Sequence, residues 1–183
     1  MSAEPPPPID AVVMWVDGDD PHHRAKREQA LLAQGIHSHA TAATRFRSVG
    51  EVDWCLRSLL RFAPFLRHIH VVTDDQVPPL MRAPEALPAA WRDKLRRVDH
   101  REVFAGFEDS LPTFSSRSIA AVMHRIPGLA EWHICLNDDV MLLRDVHPDD
   151  WFRNGLPVQR GRFVRQPHLR WSRRLRSAWR TLS

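Results

Sequence analysis

Cysteine is scarce in this chain. Only Cys55 and Cys135 occur among 183 residues. They stand singly, in no CxxC or CxxxC spacing, and are expected as reduced core residues of a cytoplasmic protein. Long apolar runs are missing too: none approaches the roughly 20 residues of a membrane span. Met1 to Pro8 has neither the basic nor the apolar region of a signal peptide. No Walker A, GxGxxG or nucleophile-elbow pattern occurs, so those routes to nucleotide or acyl chemistry are not signalled. Acid is missing from one end. Trp151 to Ser183 contains nine arginines and no Asp or Glu.

What remains is an ordinary globular composition, 43% hydrophobic and 26% charged, long enough for one domain with a core. The net charge of +4 hides an asymmetry. Residues 1–150 hold 17 basic and 22 acidic residues, a balance of −5, and the remainder carries +9. Such a tail is either a solvated arginine-rich segment or a surface for an anionic partner. Within it Trp171, Leu175, Ala178, Trp179 and Leu182 share one helical face, with arginines mostly around the other. This pattern suits an amphipathic helix at the surface of an anionic membrane, or one whose tryptophans pack on the body. The acidic body and the lack of a nucleic-acid motif argue against a nucleic-acid partner.

Along the chain, Pro5 to Pro8 is a proline-rich lead, expected to be disordered. Ile9–Val16 is an apolar run ending in the turn Asp17-Gly18-Asp19-Asp20-Pro21. A polar helix follows from about His22 to Gln34, and Gly35–Thr44 reads as loop. Ser48-Val49-Gly50-Glu51 has the pattern of a capping box. It opens a helix with Val52, Leu56, Leu59, Leu60 and Ala63 at helical spacing. Ile69–Thr73 is a second buried strand, ending at Asp74-Asp75, and Leu95–Val98 a further short one, ending at Asp99-His100. Ser115 or Ser116 is placed to cap a helix carrying Ile119, Val122 and Met123. Trp132–Leu136 is a third strong strand, running into Asn137-Asp138-Asp139 and the apolar run Val140–Leu143. Strands alternating with helices predict an α/β fold, a mixed but mostly parallel sheet flanked by helices on both faces, of Rossmann-like or nucleotide-sugar transferase type. Ligands of such sheets bind beyond the carboxyl ends of the strands, where this sequence places its acids.

Two carboxylate groups stand out, Asp17, Asp19 and Asp20 in one and Asp138 and Asp139 beside Asn137 in the other. Crowded carboxylates repel unless a cation joins them, and hard oxygen ligands suit Mg²⁺ or Mn²⁺. The plainer alternatives are a solvent-exposed turn for the first and a hairpin turn for the second. Arg45 and Arg47 are candidate phosphate contacts or simply surface arginines. His68 and His70 share a strand face and are read as structural, with no third ligand evident. His100 is the better catalytic candidate.

Taken together, the motifs resemble the Stealth family. Ile9-Asp10-Ala11-Val12-Val13-Met14-Trp15-Val16-Asp17-Gly18-Asp19-Asp20-Pro21 is similar to its first conserved block. The stretch from Arg45 to Leu143 is similar to the second, with Arg45-Phe46-Arg47, Ile69 to Asp74, Gln76, Asp99-His100, Leu111 to Ser116 and Leu136-Asn137-Asp138-Asp139 in order. The resemblance covers roughly residues 9–152, leaving 153–183 as a basic tail. It implies transfer of a sugar-1-phosphate, such as GlcNAc-1-phosphate, from a UDP-sugar to a sugar hydroxyl of an oligosaccharide or polysaccharide acceptor. The product would be a phosphodiester-linked capsular or exopolysaccharide. It further implies Asp17, Asp20, Asp138 and Asp139 as catalytic carboxylates, with Asp17, Asp138 and Asp139 on a divalent metal. Asn137, Arg45 and Arg47 become donor-binding residues. Such an enzyme would be cytoplasmic, or peripheral at the inner face of the membrane. No third or fourth block is found after Trp151. The alternative is therefore a truncated, inactive chain that keeps the donor and metal site.

Overall fold

The computed structural model describes residues 7–33 and 48–161. Its centre is a four-stranded sheet in the order β3-β2-β1-β4, with every neighbouring pair parallel. The strands are β1 (Ile9–Met14), β2 (Ile69–Thr73), β3 (Leu95–Asp99) and β4 (Trp132–Asn137). β1 and β2 are apolar almost throughout because both are interior strands with both faces covered.

Alternation along β1 sorts its side chains between two cores. Ala11, Val13 and Trp15 join a cluster with Ile69, Val71, Leu95 and Ile134. Helix α2 (Glu51–Phe62) covers this face through Val52, Cys55, Leu56, Leu59 and Leu60. Val12 points the other way, into a cluster with Val72, Val98, Val103, Ile119 and Met123. That face is covered by the short helices α3 (His100–Val103) and α4 (Ser116–Val122). Each fully buried valine or leucine contributes on the order of 1.5–3 kcal/mol.

Helix α1 (Pro21–Ala33) starts where expected, with Asp20 before it and Pro21 in its first turn. Helix α2 departs from expectation. Ser48 does not cap it. Gly50, at φ +84°, is the residue before the first turn, and Glu51 is itself the first helical residue. The Glu51 carboxylate accepts a hydrogen bond from the Val49 amide, 2.6 Å away. A left-handed backbone is open to glycine at little cost, so the chain enters this helix by its backbone rather than by a side-chain cap. Ser115 does cap α4, accepting from the Ser118 amide.

The apolar run Val140–Leu143 forms no strand, so Asn137–Asp139 is not a hairpin turn. Val140, Met141 and Leu143 are exposed. The chain instead follows α2. The Leu142 amide donates to Ser58 Oγ at 3.0 Å, and the Val146 amide donates to the Phe62 carbonyl at 2.9 Å. A hairpin occurs later, joining β5 (Phe152–Arg153) to β6 (Leu156–Pro157). Its turn residues Asn154 and Gly155 both have positive φ, as a type I′ turn demands. Of the two cysteines, Cys55 is buried and Cys135 exposed, which corrects the expectation that both are core; both are free thiols. The lead up to residue 6, residues 34–47 with Arg45 and Arg47, and the tail from residue 162 lie outside the described residues.

Candidate functional site at the carboxyl end of the sheet

The chain steps outward from β1 to β2 and β3, then returns to place β4 on the opposite side of β1. That reversal opens a crevice at the carboxyl ends of β1 and β4. Register makes the two ends level, with Met14 paired to Asn137. A cavity of about 380 Å³ sits there. Its lining includes an acidic group, Glu51, Asn137, Asp138 and Asp139, and a second group, His23, His100, Thr113, Phe114 and Ser116.

The acidic group is short of positive charge. Among the described residues no basic side chain is paired with Asp138, Asp139 or Glu51. Burial pushes the Asp138 carboxyl up to about 6, and the charges of Glu51 and Asp139 add to the effect. Beneath it, the Cys55 thiol faces the Asn137 carbonyl at 3.8 Å. Burial, with Asp138 and Asp139 nearby, pushes that thiol up to about 12, so Cys55 supports the turn rather than acting as a nucleophile.

Asp17 and Asp20 do not line the cavity. Asp17 follows Val16, which does, and its Oδ1 accepts from the Asp19 amide at 3.0 Å. The Asp17 backbone is held on both sides by one side chain: its amide donates to Gln76 Oε1 at 2.7 Å, and Gln76 Nε2 donates to its carbonyl at 3.0 Å. Asp20 accepts from the His23 amide at 2.9 Å, a hydrogen bond that lowers its carboxyl below the usual range. It thereby caps α1, the helix that brings His23 to the cavity. His100 reaches the cavity from the first residue of α3, where Asp99 forms a capping box with Glu102. Burial lowers the pKa of both histidines and keeps them neutral at physiological pH, even though Asp74 stands near each.

Comparison with known proteins places these residues in a family. Residues 45–159 match Stealth protein conserved region 2, and residues 7–35 match Stealth protein conserved region 1. The chain belongs to the Stealth family. It is 46% identical, over 79% of its length, to an exopolysaccharide phosphotransferase of Streptomyces coelicolor, of which it covers 25%. It is 35% identical over 81% of its length to a capsular polysaccharide phosphotransferase of Actinobacillus suis, covering 39%. An exopolysaccharide phosphotransferase of Lactiplantibacillus plantarum is 36% identical over 81% of the chain and covered to 41%. The chain thus spans between a quarter and about two fifths of these relatives.

This Stealth fold holds a second polar centre, at the amino end of the sheet. Asp10 is fully buried, and its carboxylate accepts from Arg67 Nε and Nη2, the His68 and Ala130 amides, and lies 3.2 Å from His70 Nε2. Burial opposes ionisation, yet Arg67, the Ala130 amide and His70 together hold this carboxyl well below the usual carboxylate range. Ligand atoms of Asp10, His68 and His70 lie within 4.8 Å of one another, close enough to hold a metal ion. The arginine fork already supplies Asp10 with a cation, so its carboxylate is satisfied within the chain, although His70 Nδ1 has no partner among the described residues. The third partner for the two histidines is Asp10, 58 and 60 residues earlier in sequence. Only the sheet pairing reveals it.

Sequence reasoning singled out Asn137, Asp138, Asp139 and His100, and the structure brings them into one cavity. It missed His23, Glu51 and the Gln76 clamp. His23 sits in a polar helix with no periodic signal, and Glu51 had been read as a capping residue. Among the described residues no helix is long and apolar enough to cross a membrane.

Proposed function

We propose that this chain carries the donor site of a sugar-1-phosphate transferase. Its substrate would be a nucleotide sugar such as UDP-GlcNAc, its acceptor a sugar hydroxyl, and its product phosphodiester-linked capsular or exopolysaccharide. The observation that carries this reading is the pair Asp138 and Asp139, beside Glu51, lining a switch-point cavity with uncompensated negative charge. Hard carboxylate oxygens with excess charge fit Mg²⁺ or Mn²⁺, whereas the Asp10 hub does not, because Arg67 already occupies it. Asp138 and Asp139 would hold the ion; Asp17 lies outside the cavity lining and is left out of this ligand set. When bound, it supplies neutralisation of the donor diphosphate. Asn137 and, outside the described residues, Arg45 and Arg47 bind donor oxygens. Asp20 contributes by fixing α1. The acceptor hydroxyl attacks the sugar-bearing phosphorus and gives up its proton to water, the bond from that phosphorus to the bridging oxygen breaks, and UMP leaves.

The test is release of UMP from UDP-GlcNAc with Mg²⁺ or Mn²⁺ and a mixed oligosaccharide acceptor, with Asp138→Ala as control. Metal-dependent release lost in the variant supports the reading. Metal-dependent donor binding without release would mean a donor site that does not turn over by itself. Absence of both sinks the proposal. The arginine-rich tail is read as a peripheral contact with an anionic membrane at the cytoplasmic face. Equal sedimentation with anionic vesicles before and after deleting residues 165–183 would remove that role.

A further inference from the structure

Apolar side chains left in the open gather on one side of α2. Among the described residues the exposed large apolar side chains include Trp54, at 65%, Val140, Met141 and Leu143, at 86%. Glu51, Trp54, Ser58 and Arg61 recur at spacings of three and four, so they share one side of that helix. The chain after β4 lies along this side: the Leu142 amide donates to Ser58 Oγ, and Arg61 reaches Asp145 at 3.7 Å. Trp54, one turn before Ser58, therefore stands alongside Met141 and Leu143. A strip of this kind, rimmed by charge, marks a contact surface. One end of it is acidic. Glu51 opens α2 and Asp138 and Asp139 precede Val140, and among the described residues no basic side chain pairs with these three.

The chain carries a segment of matching character outside the described residues. Residues 162–183 hold seven arginines, two tryptophans and no acid. Trp171 to Leu182, with its apolar residues at helical spacing, is 12 residues long, the same length as α2. As a helix it would span about 18 Å. Reach is sufficient. Near the end of the described chain, Phe152 packs on Trp132 at the start of β4, with ring centres 4.8 Å apart, and Arg160 pairs with Asp150 at 3.3 Å. From there residues 162–170 extend up to about 30 Å, more than the length of α2. We propose that the strip on α2 is the docking surface for residues 171–182 of the same chain. Trp171 and Trp179 cover Trp54 and the Met141–Leu143 segment, and the flanking arginines meet Glu51, Asp138 and Asp139, since arginine forks match carboxylates. The strip of a second copy would bring the same negative charge, whereas the tail brings the opposite one. Docked there, the segment competes with a divalent cation for the acids, which makes the contact autoinhibitory. That competition rests on the cation reading above; the docking does not. Anionic lipid attracts the same arginines, so a membrane would draw the segment off the body.

The experiment is photo-crosslinking in the 183-residue chain, with a benzophenone side chain in place of Ala178, followed by mass spectrometry of the peptides. The expected result is an adduct within one chain, on peptides containing Trp54 or Val140–Leu143. Trp54→Ser combined with Leu143→Ser changes only exposed side chains and should lower the adduct yield about fivefold. High salt should lower it about threefold by screening the arginines, and anionic vesicles should lower it as well. Adducts scattered over the surface, or a yield that the double variant leaves unmoved, would overturn the inference. Mixing isotope-labelled with unlabelled chain separates the other occupants: adducts formed only between copies would make the strip an interface between chains and overturn it, as would adducts that appear only with lipid. Deleting residues 165–183 should tighten Mn²⁺ binding about threefold by calorimetry. Equal affinity would overturn the autoinhibition. Absence of Mn²⁺ binding in both proteins would sink the cation reading and the autoinhibition with it, while the adducts still decide the docking.

Discussion

The two ends of the central sheet treat carboxylates in opposite ways. At the amino end one buried carboxylate, Asp10, is surrounded by an arginine fork, two backbone amides and an imidazole. At the carboxyl end Glu51, Asp138 and Asp139 share a cavity, with no cation paired to them among the described residues. The first carboxyl is held below its ordinary range, the second, at Asp138, pushed up to about 6. Charge satisfied within the chain is architecture; charge left unsatisfied in a cavity is an opening for a ligand.

The comparison can be broken first at Asp10. Asp10→Asn leaves the Arg67 guanidinium without its carboxylate and, with that guanidinium partly open to water, should cost about 3 kcal/mol in urea unfolding. The wild-type hub contributes stability above the unfolded carboxyl pKa that is lost as pH falls below about 4, and the variant should lack that acid-dependent loss. A cost under about 1 kcal/mol would mean the hub is not structural. Next in size, Asp138→Ala or Asp139→Ala should weaken metal-dependent UDP-GlcNAc binding about 100-fold, or roughly 2.7 kcal/mol; unchanged affinity by calorimetry would remove the acidic group from the site.

A gentler change sharpens the contrast. Because the folded Asp138 carboxyl titrates higher than the unfolded one, it favours folding at low pH. Its contribution falls away as pH rises from about 4 to about 6. Relative to Asp138→Asn, metal-free wild type should therefore lose about 2 kcal/mol across that window, after allowing for partial solvent screening. Parallel stability curves for the two proteins would contradict the raised pKa. Smallest is Gln76→Ala, which removes both hydrogen bonds to the Asp17 backbone. It should cost about 1 kcal/mol in stability and weaken the donor more than it weakens the fold; an effect on stability alone would leave Gln76 a purely structural clamp.

Much of the fold was legible because its signals are local. Apolar runs marked β1, β2 and β4, β3 was read as a short strand despite its two central arginines, and the spacing of Val52, Leu56, Leu59 and Leu60 marked α2. The acids at the strand ends, given an α/β sheet, pointed to the edge where the cavity lies. What stayed hidden depends on distance in sequence. Asp10 meets Arg67, and Gln76 meets Asp17, only once β1 and β2 are paired. The Ser48–Glu51 pattern misled because Gly50 offers a backbone route into the helix that competes with a side-chain cap. Val140–Leu143 reads as a strand by composition, but its Leu142 amide is claimed by Ser58 on α2. The Asn154-Gly155 turn was legible and passed over.

The attachment of the segment after β4 to α2 has a dynamic consequence. Asn137, Leu142, Asp145 and Val146 meet Cys55, Ser58, Arg61 and Phe62 in order, so the acidic motif and the chain beyond it are laid along one helix turn by turn. In hydrogen exchange, the amides of Leu142 and Val146 should then behave as though they belonged to α2. They would resist exchange within an irregular segment, and open together with the helix rather than before it.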